Sequence, residues 1–325
     1  MVLGVSTSWA AGQITHGRDL VEACKALQVD GLELDYRLPP PVFRQVVTAL
    51  RGSELKVFSL HNFCPVPESV PWDRVCAEPF LLSHTDREER LRAVQWTVKT
   101  MEHANDLEAP FVVLHCGRVA MDAELFTLMA LWETGGAQGS EYQALLERKL
   151  AERRARRKPL LDALLWSLDR LAQEALRLHI VLGLENRAHY HEMPNTEEYQ
   201  ILFQELEGAP LAYWHDTGHG HLMETFGWGN PTEILNAWHH QLAGVHVHDA
   251  EGKTDHLPPG FGRIQLESVV RLACRVGCPL IVELKAGTKT EDLRAGVDHV
   301  RKLMETVAEP VENPHETTSH TCFHT

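Results

Sequence analysis

Six short apolar runs in this chain carry a histidine or a carboxylate at or near their end. KVFSLH ends at His61, PFVVLH at His115, IVLGLE at Glu185 and LAYWHD at Asp216; LAGVHVHD carries His246 and His248, and PLIVEL carries Glu283. His219 and His256 follow shortly after two of these runs. Imidazole and carboxylate together are the donors expected for Zn, Mn, Co or Fe. A single such ending would mean little. Six in order point to one pocket, provided the elements carrying them open on a common rim.

The elements predicted from apolar periodicity supply that rim. Runs at 2–8, 31–35, 56–61, 110–117, 180–186, 211–216, 242–249 and 279–284 read as eight strands. Amphipathic stretches at 18–27, 40–52, 86–103, 141–178, 195–206, 231–238, 265–277 and 290–307 read as helices. Their ends carry the expected punctuation: Pro40 near a start, Asn195 as a cap, Gly277 after a last turn. Strand and helix alternate almost without interruption, the pattern of a (β/α)8 TIM barrel with its site at the strand C-termini. The interval between strands four and five is enlarged: 118–140 hold a mixed apolar stretch ending in Gly135, Gly136 and Gly139, and 141–178 read as a long helix, or two. A doubly wound open sheet is the alternative, but no G-x-G-x-x-G follows the first strand and no P-loop is present. Residues 1–308 form one predicted domain, and 309–325, without periodicity, are expected to be disordered.

With 325 residues, 44% of them hydrophobic, the chain can bury a large core. A net charge of −14 argues against a nucleic-acid partner gripped by a broad basic surface. The most basic stretch, RRARRK at 153–158, reads most simply as a solvated helix face, with a phosphate- or partner-binding patch as the sharper alternative. Seven cysteines without a C-x-x-C suggest reduced thiols in a cytoplasmic protein. No signal peptide or membrane span is predicted, and a homo-oligomer is left open.

Side chains alternate along a strand, so the last inward residue looks into the barrel mouth. His61 should then share a face with Ser59 and Val57, His115 with Val113 and Phe111, Glu185 with Gly183, and Asp216 with Trp214. A lone histidine after a strand is more often a hydrogen-bonded structural residue, and His215, His239, His240 and the tail histidines are assigned that role. Carboxylates are harder to dismiss, because burying one unpaired is costly. Glu185, Asp216 and Glu283 in one mouth would repel one another unless a divalent cation sat between them.

Taken together, LHNF (60–63), LHCG (114–117), GLENR (183–187), HDTGH (215–219), GVHVHD (244–249), DHLPPGFG (255–262) and VELK (282–285) resemble the xylose isomerase-like TIM-barrel superfamily over about residues 2–306. That superfamily includes sugar and sugar phosphate isomerases and epimerases and the endonuclease IV group. Resemblance to the epimerase branch implies one metal held by Glu185, Asp216, His246 and Glu283, with the two glutamates moving a proton on a carbon beside a carbonyl. It also implies substrate contacts at His219 and Arg187. The endonuclease IV branch adds ligands resembling His61, His115 and the region of His256. Here Asp255 adjoins His256 instead of lying two before it, which argues against a third metal site.

The leading expectation is a divalent-metal-dependent sugar or sugar phosphate isomerase or epimerase working through an enediolate. Glu185 and Glu283 would be catalytic; Glu185, Asp216, His246, Glu283, His61 and His115 are candidate metal ligands. His219, Arg187, His256, Lys285 and His248 are candidate substrate contacts. The metal would be Mn, Zn, Co or Mg, one per chain, with two or three left open. The alternative is a multinuclear phosphodiesterase or phosphatase acting on a small phosphodiester. A third reading is a binding or regulatory barrel that has lost catalysis. Trp9, Phe63, Trp214, Phe226, Trp228 and Phe261 are read either as sugar-stacking aromatics at the mouth or as loop anchors.

Overall fold

The computed structural model describes residues 2–308; the tail expected to be disordered lies outside the described residues. The strands, in chain order, are β1 (Leu3–Ser6), β2 (Gly31–Leu34), β3 (Lys56–His61), β4 (Phe111–Leu114), β5 (Val181–Glu185), β6 (Leu211–Asp216), β7 (Leu242–Val247), β8 (Asp249–Glu251), β9 (Thr254–Leu257) and β10 (Leu280–Val282). All but β8 and β9 close into a parallel barrel in the order β1-β10-β7-β6-β5-β4-β3-β2, while β8 and β9 pair as an antiparallel hairpin. The helices are α1 (Gly17–Lys25), α2 (Pro40–Leu50), α3 (Arg87–Asp106), α4 (Leu125–Gly135), α5 (Ser140–Leu178), α6 (Thr196–Glu205), α7 (Thr217–Thr225), α8 (Pro231–Trp238), α9 (Leu266–Val276) and α10 (Thr290–Ala308). The fold is the expected (β/α)8 barrel, and α4 and α5 make up the enlarged segment between β4 and β5.

Local chemistry sets the helix ends. Asp86 accepts the N–H groups of Glu88 and Glu89 at 2.8 and 3.1 Å, capping α3. Asn195 and Glu198 cap each other at the start of α6. Gly277, at φ +83°, ends α9 in the left-handed conformation that glycine adopts without strain.

The strands bury both faces. Leu32, Val112, Leu182 and Val245 face the helices, and Phe58, Val113, Ala212, Trp214, Ala243 and Ile281 pack inside the barrel. Trp214 fills the middle of that interior only because Gly183 and Gly244 leave room; a Cβ on either would lie 2.9 or 2.3 Å from its ring. It is the floor of the mouth, not a stacking surface. The strand parity also needs one correction. Val57 packs in the outer core, not inward with His61. Leu32 pairs with Val57 and Glu33 with Ser59, so Phe58 is an extra, bulged residue and takes the inner position itself. The bulge resets the alternation, so Ser59 and His61 still reach the mouth.

Three features were absent from the sequence reading: α4, within the apolar stretch before α5; α7, directly after β6; and the β8–β9 hairpin, which takes over where the run 242–249 was expected to continue as strand. The basic run also departs from a purely solvated face. Helix α5 continues through Pro159, and within it Arg153 is 2% exposed. Its guanidinium makes two 2.8 Å bonds to the Glu198 carboxylate and a third to the Glu192 carbonyl. Arg157 and Lys158 pair with Glu197 and Asp162 at the surface. Replacing Arg153 by Met should destabilise the protein by about 3–5 kcal/mol, because Glu198 is left buried and uncompensated. Urea unfolding measures this, and adding Glu198→Gln to the Arg153→Met background should recover part of the loss.

No disulfide joins the described cysteines. No helix among the described residues is long and apolar enough to cross a membrane.

Candidate active site

Each strand delivers its donor at the same end of the barrel. His61, Glu185 and Asp216 are the last residues of β3, β5 and β6; His115 and Glu283 directly follow β4 and β10; His246 lies one residue before the end of β7. All six are buried or nearly so.

Their centre is the Nδ1 atom of His246. Glu185 Oε1 lies 2.9 Å from it, Glu283 Oε2 3.0 Å and Asp216 Oδ2 3.7 Å. The other Glu185 oxygen, Oε2, is 2.8 Å from His115 Nε2 and 3.5 Å from His61 Nε2, without a well-directed hydrogen bond to either. On the opposite flank, Asp216, His219 and His256 converge. Three donor groups thus have their atoms within 4.8 Å of one another: Glu185–Asp216–His246–Glu283, His61–His115–Glu185 and Asp216–His219–His256. Glu185 belongs to the first two and Asp216 to the first and third. Asp255 is in none of them; its carboxylate instead lies 3.3 Å from the His256 ring.

The histidines are oriented from behind. His61 Nδ1 donates to the Asn62 carbonyl at 3.1 Å and His219 Nδ1 to the Asn186 carbonyl at 3.0 Å, which fixes one proton on each ring and leaves Nε2 as the nitrogen open to a cation or a proton. Asn186, which the sequence reading passed over, clamps β5 to β6. Its side chain accepts the Asp216 N–H at 2.7 Å and donates to the Asp216 carbonyl at 3.0 Å. Asp216 also caps α7 through the His219 N–H at 2.6 Å. That helix was hidden by its glycines, yet they are required: a Cβ on Gly218 would lie 2.0 Å from the His248 ring.

Electrostatics concentrate on the same point. Burial opposes ionisation of Glu185, but His115 and His246 override it and hold the carboxyl well below the ordinary range. Burial likewise opposes a charged His246, yet Glu33, Glu283 and Glu185 push it well above its usual value. Against burial, His61 is raised to about 9 by Glu185, whereas burial together with Arg187 lowers His115 to about 3. Burial works against Asp216 as well, and His219 and His248 overcome it to lower its pKa.

The expected substrate contacts divide. Arg187 is 7% exposed, donates to Glu192 at 3.0 Å and brings Nη1 within 3.7 Å of Glu185 Oε2; Nη1 and Nε have no hydrogen-bond partner. His219 and His256 border the central group, their rings 5.7 Å apart. His248 differs from the expectation of a substrate contact. It is fully buried, its Nδ1 accepts the His256 N–H at 2.8 Å, and its Nε2 therefore donates to Asp216 at 2.9 Å. With both nitrogens engaged it holds Asp216 and offers nothing to a ligand. Lys285 is exposed beyond the end of β10, outside the donor groups. Phe226 and Trp228 stack on each other in a side cluster under α4 and α5, and Trp9 is buried; of the six aromatics only Phe261 is largely exposed. Glu33, in the middle of β2, is a buried carboxylate at this site that the sequence reading missed altogether.

His215 faces away from the cluster and hydrogen-bonds the Tyr213 hydroxyl at 2.7 Å, the structural role expected of it. Burial pushes its pKa down to about 4. The unfolded chain, with a histidine pKa of about 6.5, then binds more protons between these values, so stability falls as pH drops from about 6.5 to 4. The His215→Gln variant should show a smaller acid loss than the parent, by on the order of 3 kcal/mol at pH 4. Urea titrations of both proteins in chelator, at pH 7 and pH 4, read the difference.

A sequence model described as "Xylose isomerase-like TIM barrel" matches residues 21–303. No curated protein matches the chain by sequence. Among solved structures, a D-tagatose 3-epimerase-like protein superposes with a TM-score of 0.65 at 19% identity, covering 94% of this chain and 98% of its own. A putative xylose isomerase from Rhodospirillum rubrum gives 0.69 at 16% identity over 95% and 100%. A 3-keto-D-glucoside 4-epimerase from E. coli gives 0.65 at 15% identity over 93% and 99%. At these identities the structural likeness is one of fold.

Proposed function

Because the chain belongs to the xylose isomerase-like TIM-barrel family, we propose that it is a divalent-metal-dependent isomerase or epimerase of a small sugar or sugar phosphate. The observation that carries this reading is the approach of Glu185 and Glu283, from β5 and β10, to one point. They lie 2.9 and 3.0 Å from His246 Nδ1, with Asp216 completing the group. Donor separations near 3 Å suit a coordination shell with bond lengths of about 2 Å. The three buried carboxylates and the imidazole therefore fit Mn, Zn, Co or Mg. Bound there, the cation would polarise a substrate carbonyl and its neighbouring hydroxyl and lower the cost of enediolate charge.

The chain's own residues would do the rest. One glutamate would take the proton from the carbon beside the carbonyl and the other return it. Arg187, with two unpaired nitrogens beside Glu185, would hold a substrate oxygen. His219 and His256 would contact hydroxyls at the opposite flank. The sugar epimerases among the structural neighbours support this substrate class. The test is incorporation of solvent deuterium at the α-carbon of ketoses and their phosphates.

A second reading is favoured by one specific observation. His61 and His115 both approach the outer oxygen of Glu185, and a single-cation site does not need them. A two- or three-cation centre hydrolysing a small phosphodiester would use all three donor groups. Two or three metals per chain, with cleavage of bis-p-nitrophenyl phosphate and no deuterium incorporation, would replace the isomerase reading.

A further inference from the structure

We propose that Glu33 is a positioning residue that fixes His246 as a cation donor; the inference rests on the cation site described above, but not on which reaction it serves. Glu33 belongs to none of the three donor groups. It approaches His246 from the opposite edge of the ring. Its Oε2 lies 2.9 Å from His246 Nε2 and accepts the Ser59 hydroxyl at 2.7 Å. His246 has two ring nitrogens and Nδ1 is the one facing Glu185, Asp216 and Glu283. With a cation among the carboxylates at Nδ1, the one remaining ring proton is held on Nε2 by Glu33, and the in-plane lone pair is left on Nδ1 for the cation. Glu33 also makes that lone pair a stronger donor.

Geometry and cost agree on this role. Trp214 and His61 bound the His246 ring, 5.3 and 6.0 Å away between centroids, but neither distinguishes one ring nitrogen from the other. Only the Glu33 contact makes that distinction on the Nε2 edge. For packing alone a carboxylate is a poor choice, since Glu33 is fully buried and its Oε1 has no hydrogen-bond partner. Ser59 reaches it because of the bulge at Phe58, so the backbone irregularity of β3 helps to hold the contact.

The test compares the full-length parent with Glu33→Ala and Glu33→Gln. Co2+ affinity is measured by chelator competition, the Co2+ visible absorption spectrum at saturation, and folding by circular dichroism. Glu33→Ala should bind Co2+ about 10–100-fold more weakly, with an altered spectrum. Glu33→Gln can still accept the Nε2 proton through its amide oxygen. It should therefore recover much of the affinity while keeping a smaller spectral change, since the charge is gone. A role in packing alone would leave the spectrum and affinity unchanged in folded variants, and that result overturns the proposal. If Glu33→Ala does not fold, the Glu33→Gln spectrum decides by itself. Failure of the isomerase reading shows separately, as a parent protein that binds Co2+ but catalyses no deuterium incorporation.

Discussion

Glu283→Gln should lower α-proton exchange on a sugar substrate by about 10²–10⁴-fold while the protein folds and still binds a cation. Glutamine keeps the size of the side chain and one oxygen, so the contact with His246, at 3.0 Å in the parent, can persist in modified form. What it removes is the basic oxygen that takes or returns the proton. Three of the four central donors remain, along with both flanking groups. The loss should therefore fall on kcat, with little change in thermal unfolding. Full activity in this variant would sink the proton-transfer role.

Glu185→Gln should abolish turnover as well, and its metal content distinguishes one reading from the other. Glu185 belongs to two donor groups, reaching His246 with one oxygen and His115 and His61 with the other. For two-base proton transfer at one cation, both variants lose turnover to a similar degree. For hydrolysis at several cations, Glu185 would serve two of the donor groups and Glu283 only one. Glu185→Gln would then lower metal content sharply and Glu283→Gln only modestly. Measuring metal content beside exchange in the two variants separates the mechanisms without knowledge of the natural substrate.

What could be read from sequence follows from how a parallel barrel is built. Its strands are buried on both faces, so they appear as continuous apolar runs. A histidine or carboxylate closing such a run stands out, and all six runs so marked deliver their donor to one mouth. Glu33 escaped because it does not close a run. It lies within GLELD, where Leu34 and Asp35 follow, and a carboxylate inside a strand looks like an exposed alternate position. Its partner Ser59 comes opposite it only through the bulge at Phe58 in β3, which no local pattern announces. Helix α7 was hidden because Gly218 and Gly220 lower helix propensity, yet clearance for His248 and Pro231 requires them. His248 was misjudged since spacing can place a ring in the mouth but cannot say that both its nitrogens are spent on Asp216 and on the His256 backbone. Arg153 sits in a run that looks solvated, and only the docking of α6 brings Glu198 to it. In each case the missing information is a partner distant in sequence.

Stripping the protein of divalent metal should lower its unfolding temperature by about 4–6 °C. A ligand present at about 100–1,000 times its Kd is worth about 3–4 kcal/mol, and with an unfolding entropy of about 2.1 cal/mol/K per residue a chain of this length loses roughly 1.5 °C per kcal/mol. The electrostatics give the reason. Glu33, Glu185, Asp216 and Glu283 are each at most 4% exposed, and all lie around one imidazole. Without a cation, the compensating charge available at their centre is a proton on His246, whose pKa those carboxylates raise well above its ordinary value. A divalent ion must displace that proton from Nδ1, so binding should release a proton at neutral pH, and acid should compete with metal. Calorimetric titration of the stripped protein with Zn2+ or Mn2+ in buffers of different ionisation enthalpy measures the release, and its stoichiometry counts the cations. Binding with no dependence on buffer would place the ion away from His246. An unfolding temperature indifferent to chelator would mean that the proton alone suffices to neutralise the cage.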